Sequence, residues 1–245
     1  MSGHSKWSTI KRKKAKVDSA RGKIFTRIAK EIIAAARQGG GDLESNLRLK
    51  NAVAKAKEEN LPNDNIQRAI KRGTGELGGA NFEELTYEGY GPGGVAVMLD
   101  ILTDNRNRTA GELRHLFSKY GGNLGETGCV SWMFDKRGLL VVEKENFTVD
   151  SDEFFLNALD AGALDVKEDD ETIEVITEPE DIDSILQFLT DMGVKISSSE
   201  LARIPQNTVA LAEDHQERML KLLDILEDHD DVQDVFVNFE LTDEE

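Results

Sequence analysis

The sequence predicts an α+β protein in which an N-terminal three-helix domain precedes two ferredoxin-like split βαβ domains, one inserted into the other. Three observations carry this. The first 75 residues place their apolar side chains at helical spacing and contain no alternating stretch. From about residue 95 onward, strand-like and helix-like segments alternate. Within that region, 139–203 read β-α-β-β-α-β, one complete split βαβ unit, with a β-α-β half on either side. The two halves joined around the complete unit make a second sandwich, whereas tandem domains would leave each half with an open sheet edge. The expected boundaries are 1–80 for the helical domain, 81–135 with 205–245 for the discontinuous domain, and 136–204 for the inserted one.

The elements follow in order. Ile24, Phe25, Ile28, Ile32 and Ala35 share one helix face, and Gly39-Gly40-Gly41 ends that helix. A second helix over 45–59 buries Leu49, Ala52, Val53 and Ala56. A third follows Pro62, capped by Asn63 or Asp64, and stops before Gly73. Residues 72–81, with four glycines, read as a linker. Strands are expected at 95–103, 129–134 and 139–143, with a turn at 135–138, and a helix at 106–120. A helix at 150–161 starts at a capping box formed by Asp150 and Glu153. A hairpin joins 164–168 to 172–177. A helix at 179–192, an extended segment at 194–203, a short strand at 208–212, a helix at 214–228 and a strand at 232–239 complete the chain.

Composition narrows the function. Charged residues make up 31% of the 245 residues and hydrophobic ones 39%, enough apolar material for real cores. The lone Cys129 has no partner for an internal disulfide, which suits a reducing compartment, and it reads as a buried thiol in a strand. No apolar run approaches a membrane span and no signal-peptide stretch follows the basic start, so a cytoplasmic chain with no membrane partner is expected. The net charge of −17 conceals an asymmetry: residues 1–75 hold 18 Lys/Arg against 7 Asp/Glu, a charge of +11, and the remainder carries −28. Such a split points to a nucleic-acid-facing module joined to acidic domains. The alternative is a basic segment that docks on the protein's own acidic surface.

The densest basic stretch is an arm: Lys6 and Trp7, then Lys11, Arg12, Lys13, Lys14 and Lys16, then Arg21 and Lys23. Lysine and arginine gain affinity for phosphates by releasing counterions, and Trp7 offers a face for base stacking. Arg106 and Arg108, within Asp104-Asn105-Arg106-Asn107-Arg108-Thr109, would meet a phosphate at a helix start, or else pair with neighbouring acids while Asp104 or Asn105 caps the helix. Tyr87 and Tyr90, among glycines, would stack on bases or anchor a tight turn. The match to G-x-G-x-x-G at 73–78 follows a helix rather than a strand and reads as linker, and no cofactor is expected. The histidines are scattered, without metal-ligand spacing, the acidic run 227–231 reads as a solvated helix end, and no nucleophile–base pair stands out, so no metal site and no enzyme activity are expected.

Gly3-His4-Ser5-Lys6-Trp7, Arg21-Gly22-Lys23-Ile24-Phe25, Gly39-Gly40-Gly41-Asp42, the segment 87–94, Asp104 to Thr109 and Gly121-Gly122-Asn123-Leu124-Gly125 together resemble the YebC/PmpR family, across essentially the whole chain. The resemblance implies an N-terminal helical domain with two α+β domains. It also implies a probable transcriptional regulator that binds DNA; mitochondrial members activate translation, and some members relieve ribosomes stalled on proline-rich stretches. The reading is a monomeric, non-enzymatic regulator whose partner is nucleic acid, either DNA or ribosomal RNA and tRNA, with the ribosome as the second candidate.

Overall fold

The computed structural model describes residues 18–240 except 79, 80, 148 and 170, and for 18–21, 146 and 240 the backbone alone. Three helices open it: α1 (Asp18–Gly39), α2 (Leu47–Glu58) and α3 (Asn63–Gly73). Their apolar stripes meet in one core built on Ile28, Ile32, Ala35, Leu49, Val53, Ile66 and Ile70, the faces the spacing predicts. The chain leaves α1 through Gly40, whose φ of +83° only glycine adopts without strain. Buried Asn46 then stitches α1 to α2. Its Oδ1 accepts from the Leu49 N–H at 3.0 Å, while its Nδ2 donates to the carbonyls of Ala35 and Gly40, each at 2.8 Å. Pro62 flanks α3 with no side-chain cap, so Asn63 and Asp64 lie in the first turn instead of capping it.

Strands β1 (Glu83–Tyr90), β2 (Ala96–Thr103), β3 (Asn123–Leu124) and β9 (Val232–Val237) form a sheet in the order β3-β1-β2-β9. Helices α4 (Arg106–Lys119) and α7 (Glu213–Glu227) accompany it. Two expectations change here. β1 was not expected as a strand, because its two acids at the start and the Gly89 near its end resemble a turn. It pairs antiparallel with both β2 and β3, and Gly89 is needed because a Cβ there would lie 2.6 Å from the Asn123 carbonyl. The strand expected at 208–212 shrinks to β8 (Val209–Ala210), paired in parallel with β10 (Phe239–Glu240), and β1 supplies the fourth strand of this sheet.

The second sheet, ordered β5-β6-β4-β7, is built from β4 (Phe134–Glu143), β5 (Asp165–Glu168), β6 (Thr172–Thr177) and β7 (Ser198–Pro205). With α5 (Ser151–Asp160) and α6 (Ile182–Asp191) it has the element order and strand order of a split βαβ sandwich. Leu140, Val142, Phe154, Ile173, Val175, Ile185 and Leu189 form its core. Asp150 caps α5 as its spacing to Glu153 requires, accepting from the Glu153 N–H at 3.0 Å. The turn expected at 135–138 is absent: β4 runs through it, with Gly138 opposite Thr177 on one side and Leu201 on the other. Polar Lys136 and Arg137 are tolerated there because Lys136 is exposed and Arg137 pairs with Glu178. Of the strand expected at 129–134, only Phe134 is in a strand, as the first residue of β4. Ser131–Met133 make a single 3₁₀ turn, and Cys129 precedes it, half-buried and not paired in a disulfide.

Contacts divide the described chain into two compact units. One comprises 18–129 with Ala212–Val235, the other Val130–Leu211 with 236–240.

Candidate nucleic-acid interface

The cations of α1 do not all face solvent. Lys23, Arg27 and Lys30 recur at three- and four-residue spacing, which puts them on one stripe of the helix. Lys23 Nζ lies 2.9 Å from Asp228 Oδ2, and Lys30 Nζ donates to Asp231 Oδ1 at 2.7 Å and to the Asp230 carbonyl at 2.8 Å. Burial lowers the Arg27 pKa, and the fields of Glu227, Asp234, Asp228 and Asp230 pull it back up. The run expected to be a solvated face is therefore the counter-charge of α1. Its position at the end of α7, where the helix dipole disfavours carboxylates, makes that cationic cover stabilising.

Asp231 is the centre of this arrangement, with a side chain only 3% exposed. Its Oδ2 accepts from Arg108 Nη2 at 2.7 Å, Thr109 Oγ1 at 2.8 Å and Thr103 Oγ1 at 3.1 Å. Burial alone would raise its pKa. The hydrogen bonds from Lys30, Arg108 and Thr109, with the Lys30 charge, outweigh it and hold the carboxyl far below its ordinary value. Three segments distant in sequence are thus fixed together: α1, the 103–109 turn and the start of β9. His229 adds a link, accepting from the Asp231 N–H through Nδ1 at 3.1 Å, which leaves Nε2 to donate to Glu112 at 3.0 Å. Glu112, His229 and Asp231 bring three potential ligand atoms within 4.8 Å of one another. The Asp231 oxygens, however, are already matched by two cations and two hydroxyls, an arrangement suited to structure rather than to a metal.

Each expected site residue can now be placed. Lys6, Trp7, Lys11, Arg12, Lys13, Lys14 and Lys16 lie outside the described residues, and Arg21 contributes only its backbone to α1. Lys23 is paired with Asp228. Asn105 caps α4, accepting from the Arg108 N–H at 3.1 Å, and the Arg108 guanidinium serves Asp231 and Asp104. Arg106, two residues away, is exposed and makes no ion pair among the described residues. Tyr87 and Tyr90 act as anchors: their hydroxyls donate to the carbonyls of Arg106 at 3.2 Å and Cys129 at 3.0 Å. Burial, followed by the Glu88 charge, pushes the Cys129 thiol pKa up, away from nucleophilic reactivity.

The reading from sequence missed a second group. Lys50, Lys55 and Lys57 on α2 and Arg68, Lys71 and Arg72 on α3 are exposed, and none makes an ion pair among the described residues. On α3 the three cations lie opposite the buried Ile66, Ala69 and Ile70. Periodicity alone identifies them, once the α3 stripe is drawn.

The family models settle the lineage. Residues 5–76 match the TACO1/YebC protein N-terminal domain, and 82–239 match the TACO1/YebC second and third domain. The chain belongs to the TACO1/YebC family. A probable transcriptional regulatory protein of Pelotomaculum thermopropionicum is 63% identical over 99% of this chain and all of its own. A protein of the same description from Desulforamulus reducens is 57% identical over 98% of this chain and 99% of its own. The crystal structure of a conserved hypothetical protein from Aquifex aeolicus superposes with a TM-score of 0.83 at 46% identity, covering 94% of each chain. The resemblance seen in the motifs is thus confirmed for the TACO1/YebC family, as is the α+β architecture with its N-terminal helices. Among the described residues, no helix is long and apolar enough to cross a membrane.

Proposed function

We propose that this TACO1/YebC chain is a cytoplasmic, non-enzymatic regulator of gene expression that binds nucleic acid through residues 1–75, with DNA as the target its relatives' description implies. The observation that supports it most is the charge of +11 on that segment, combined with the solvent-facing cations of α2 and α3. Internal docking accounts for Lys23 and Lys30, and Arg48 is likewise held by Glu31 and Glu84. Lys50, Lys55 and Lys57 of α2 and Arg68, Lys71 and Arg72 of α3 have no such counterpart among the described residues, and the arm adds Lys6, Trp7, Lys11, Arg12, Lys13, Lys14 and Lys16. Phosphate contacts of this kind predict a logarithmic fall of affinity with salt of roughly −0.9 per phosphate on duplex DNA and −0.7 on single strands. The test is binding of a promoter fragment by the full chain and by a chain lacking residues 1–75. Equal, equally salt-sensitive binding by both would refute the reading.

One observation favours a second reading. The charge of −28 on residues 76–245 repels any long duplex that reaches beyond the helical segment. A ribosome presents phosphate and basic protein together and suits both halves of the charge distribution. Co-sedimentation with ribosomes in moderate salt, lost when Lys11, Arg12, Lys13 and Lys14 become alanine, would favour it. Specific promoter binding with the protein left in the ribosome-free supernatant would exclude it.

A further inference from the structure

The second compact unit carries a surface outside residues 1–75, the segment proposed to bind nucleic acid. Residues 150–191 contain fifteen Asp and Glu and a single basic residue, Lys167. On α5 the buried side chains are Phe154 and Ala158. The opposite face carries Asp152, Leu156, Leu159 and Asp160, with Leu156 four residues from each aspartate and three from Leu159, the spacings that make neighbours on a helix. Leu156 is 66% exposed and Leu159 46%, and Leu164, just past the helix, is 47% exposed. Isolated exposed leucines are ordinary on a protein surface. Adjacent ones on a helix face, bracketed by carboxylates that make no ion pair among the described residues, form a patch with a defined chemistry.

We propose that the outward face of α5 is a docking site for a lysine- and arginine-rich amphipathic segment of a protein partner. The leucines would receive its apolar residues, and Asp152 and Asp160 its cations. Charge complementarity selects this occupant. Nucleic acid and anionic lipid are disfavoured by the net negative charge of 150–191, fifteen Asp and Glu against one Lys, and a second copy docked through the same face would set that charge against itself. Helix-in-groove and helix-on-helix recognition both read such spaced apolar anchors, with charged flanks setting specificity.

The test uses the full chain and a fluorescent Leu/Lys amphipathic peptide of about 18 residues, against a Ser/Lys peptide of equal charge, in about 150 mM salt. The Leu/Lys peptide is expected to bind at least about tenfold more tightly than the Ser/Lys peptide. Leu156→Ser with Leu159→Ser should remove that advantage, an effect of about tenfold for two apolar contacts. Asp152→Asn with Asp160→Asn should weaken both peptides. Because all four side chains are exposed, thermal unfolding should be unchanged, and single Leu156→Gln provides a second variant. Equal binding of the two peptides, or an undiminished preference in the leucine variants, overturns the proposal. So does a dimer that the leucine variants dissociate, which would make a second copy the occupant. A tenfold gain in peptide affinity on removing residues 1–17 would make the protein's own arm the occupant, and also overturns it.

Discussion

Helices α1 and α3 belong to the same bundle and carry cations at similar density, yet they present them to different surroundings. The α1 stripe of Lys23, Arg27 and Lys30 looks onto the carboxylates of 227–234, whereas Arg68, Lys71 and Arg72 of α3 look onto water. Formal charge in a sequence is therefore not charge available to a partner. What lies opposite decides it, and the acids opposite α1 come from a segment roughly 200 residues away in the chain. The fold spends one set of cations on holding the bundle to the first sheet and leaves the other set without an ion pair among the described residues.

The largest expected effect falls on the paired side of this comparison. Replacing Asp231 with Ala removes a buried carboxylate from Lys30, which is 14% exposed, and from Arg108, which is more exposed and keeps Asp104, so the cost is expected to be about 2–3 kcal/mol, below the range for a fully buried pair. Urea unfolding should show that loss, and a cost below about 1 kcal/mol would mean that the pairing does not hold α1 in place. The pH dependence has a definite sign. The Asp231 pKa is lowered by folding, so its contribution is fully present above the unfolded carboxyl value of about 4 and is lost progressively as pH falls below that value. The wild-type chain should lose stability below about pH 4 more steeply than Asp231→Asn.

The opposite pattern is expected on α3. Arg68→Ala with Lys71→Ala and Arg72→Ala should leave stability within about 0.5 kcal/mol, since these side chains are exposed and unpaired among the described residues. If each meets one phosphate of duplex DNA, the slope of log K against log salt should become shallower by roughly 2.7. Lys23→Ala should barely change that slope, because its charge is already committed to Asp228. A salt slope that responds to Lys23 and ignores α3 would invert the comparison.

How much of this was legible in the sequence depends on the range of the interaction. The apolar stripes of the three helices, the Asp150 cap and the β-α-β-β-α-β order are local patterns, and 3.6- and 2-residue periods suffice to read them. β1 was hidden because Gly89 serves close packing against Asn123 rather than a turn, and composition cannot tell the two apart. The 135–138 turn was misread because β6 and β7 pair with β4 on both sides and override its local preference. At the candidate interface, the basic character of residues 1–75 was plain from counting. The role of Asp231 was not, because Lys30, Arg108, Thr103 and Thr109 converge on it only after folding. The proposed inserted domain at 136–204 needs its flanks for the same reason: Phe134 and Asp135 pair with Pro205 and Ile204. A fragment spanning 130–211 is expected to unfold cooperatively, and a disordered NMR spectrum from it would argue against an autonomous domain.

A smaller effect probes how closely α1 and α3 must approach for either pattern to exist. A Cβ on Gly73 would lie 2.5 Å from the Ile33 carbonyl oxygen and 2.7 Å from the Ala36 Cβ, with backbone rather than a flexible side chain in the way. Gly73→Ala should therefore cost about 1–3 kcal/mol by overpacking. Gly111→Ala is the control, an open position on α4 where the same change meets nothing within 4 Å and should be neutral to stabilising. Equal stability of the two variants would mean that the helices can part without loss.

The smallest effect separates anchoring from stacking at Tyr87. Its hydroxyl donates to the Arg106 carbonyl at 3.2 Å, a bond between β1 and the first residue of α4, at a position reached by solvent. Tyr87→Phe removes that bond and keeps the ring. If the residue is an anchor, stability should fall by about 0.5–1.5 kcal/mol, with the lower end favoured by exposure, and nucleic-acid affinity should not change. If the ring also stacks on a base, Tyr87→Phe should still leave affinity unchanged, because the ring is kept. Tyr87→Leu should then weaken binding by the roughly 1–3 kcal/mol that a base–aromatic contact contributes. Urea unfolding and fluorescence anisotropy on the same two variants therefore distinguish the two roles, because anchoring follows the hydroxyl and stacking follows the ring.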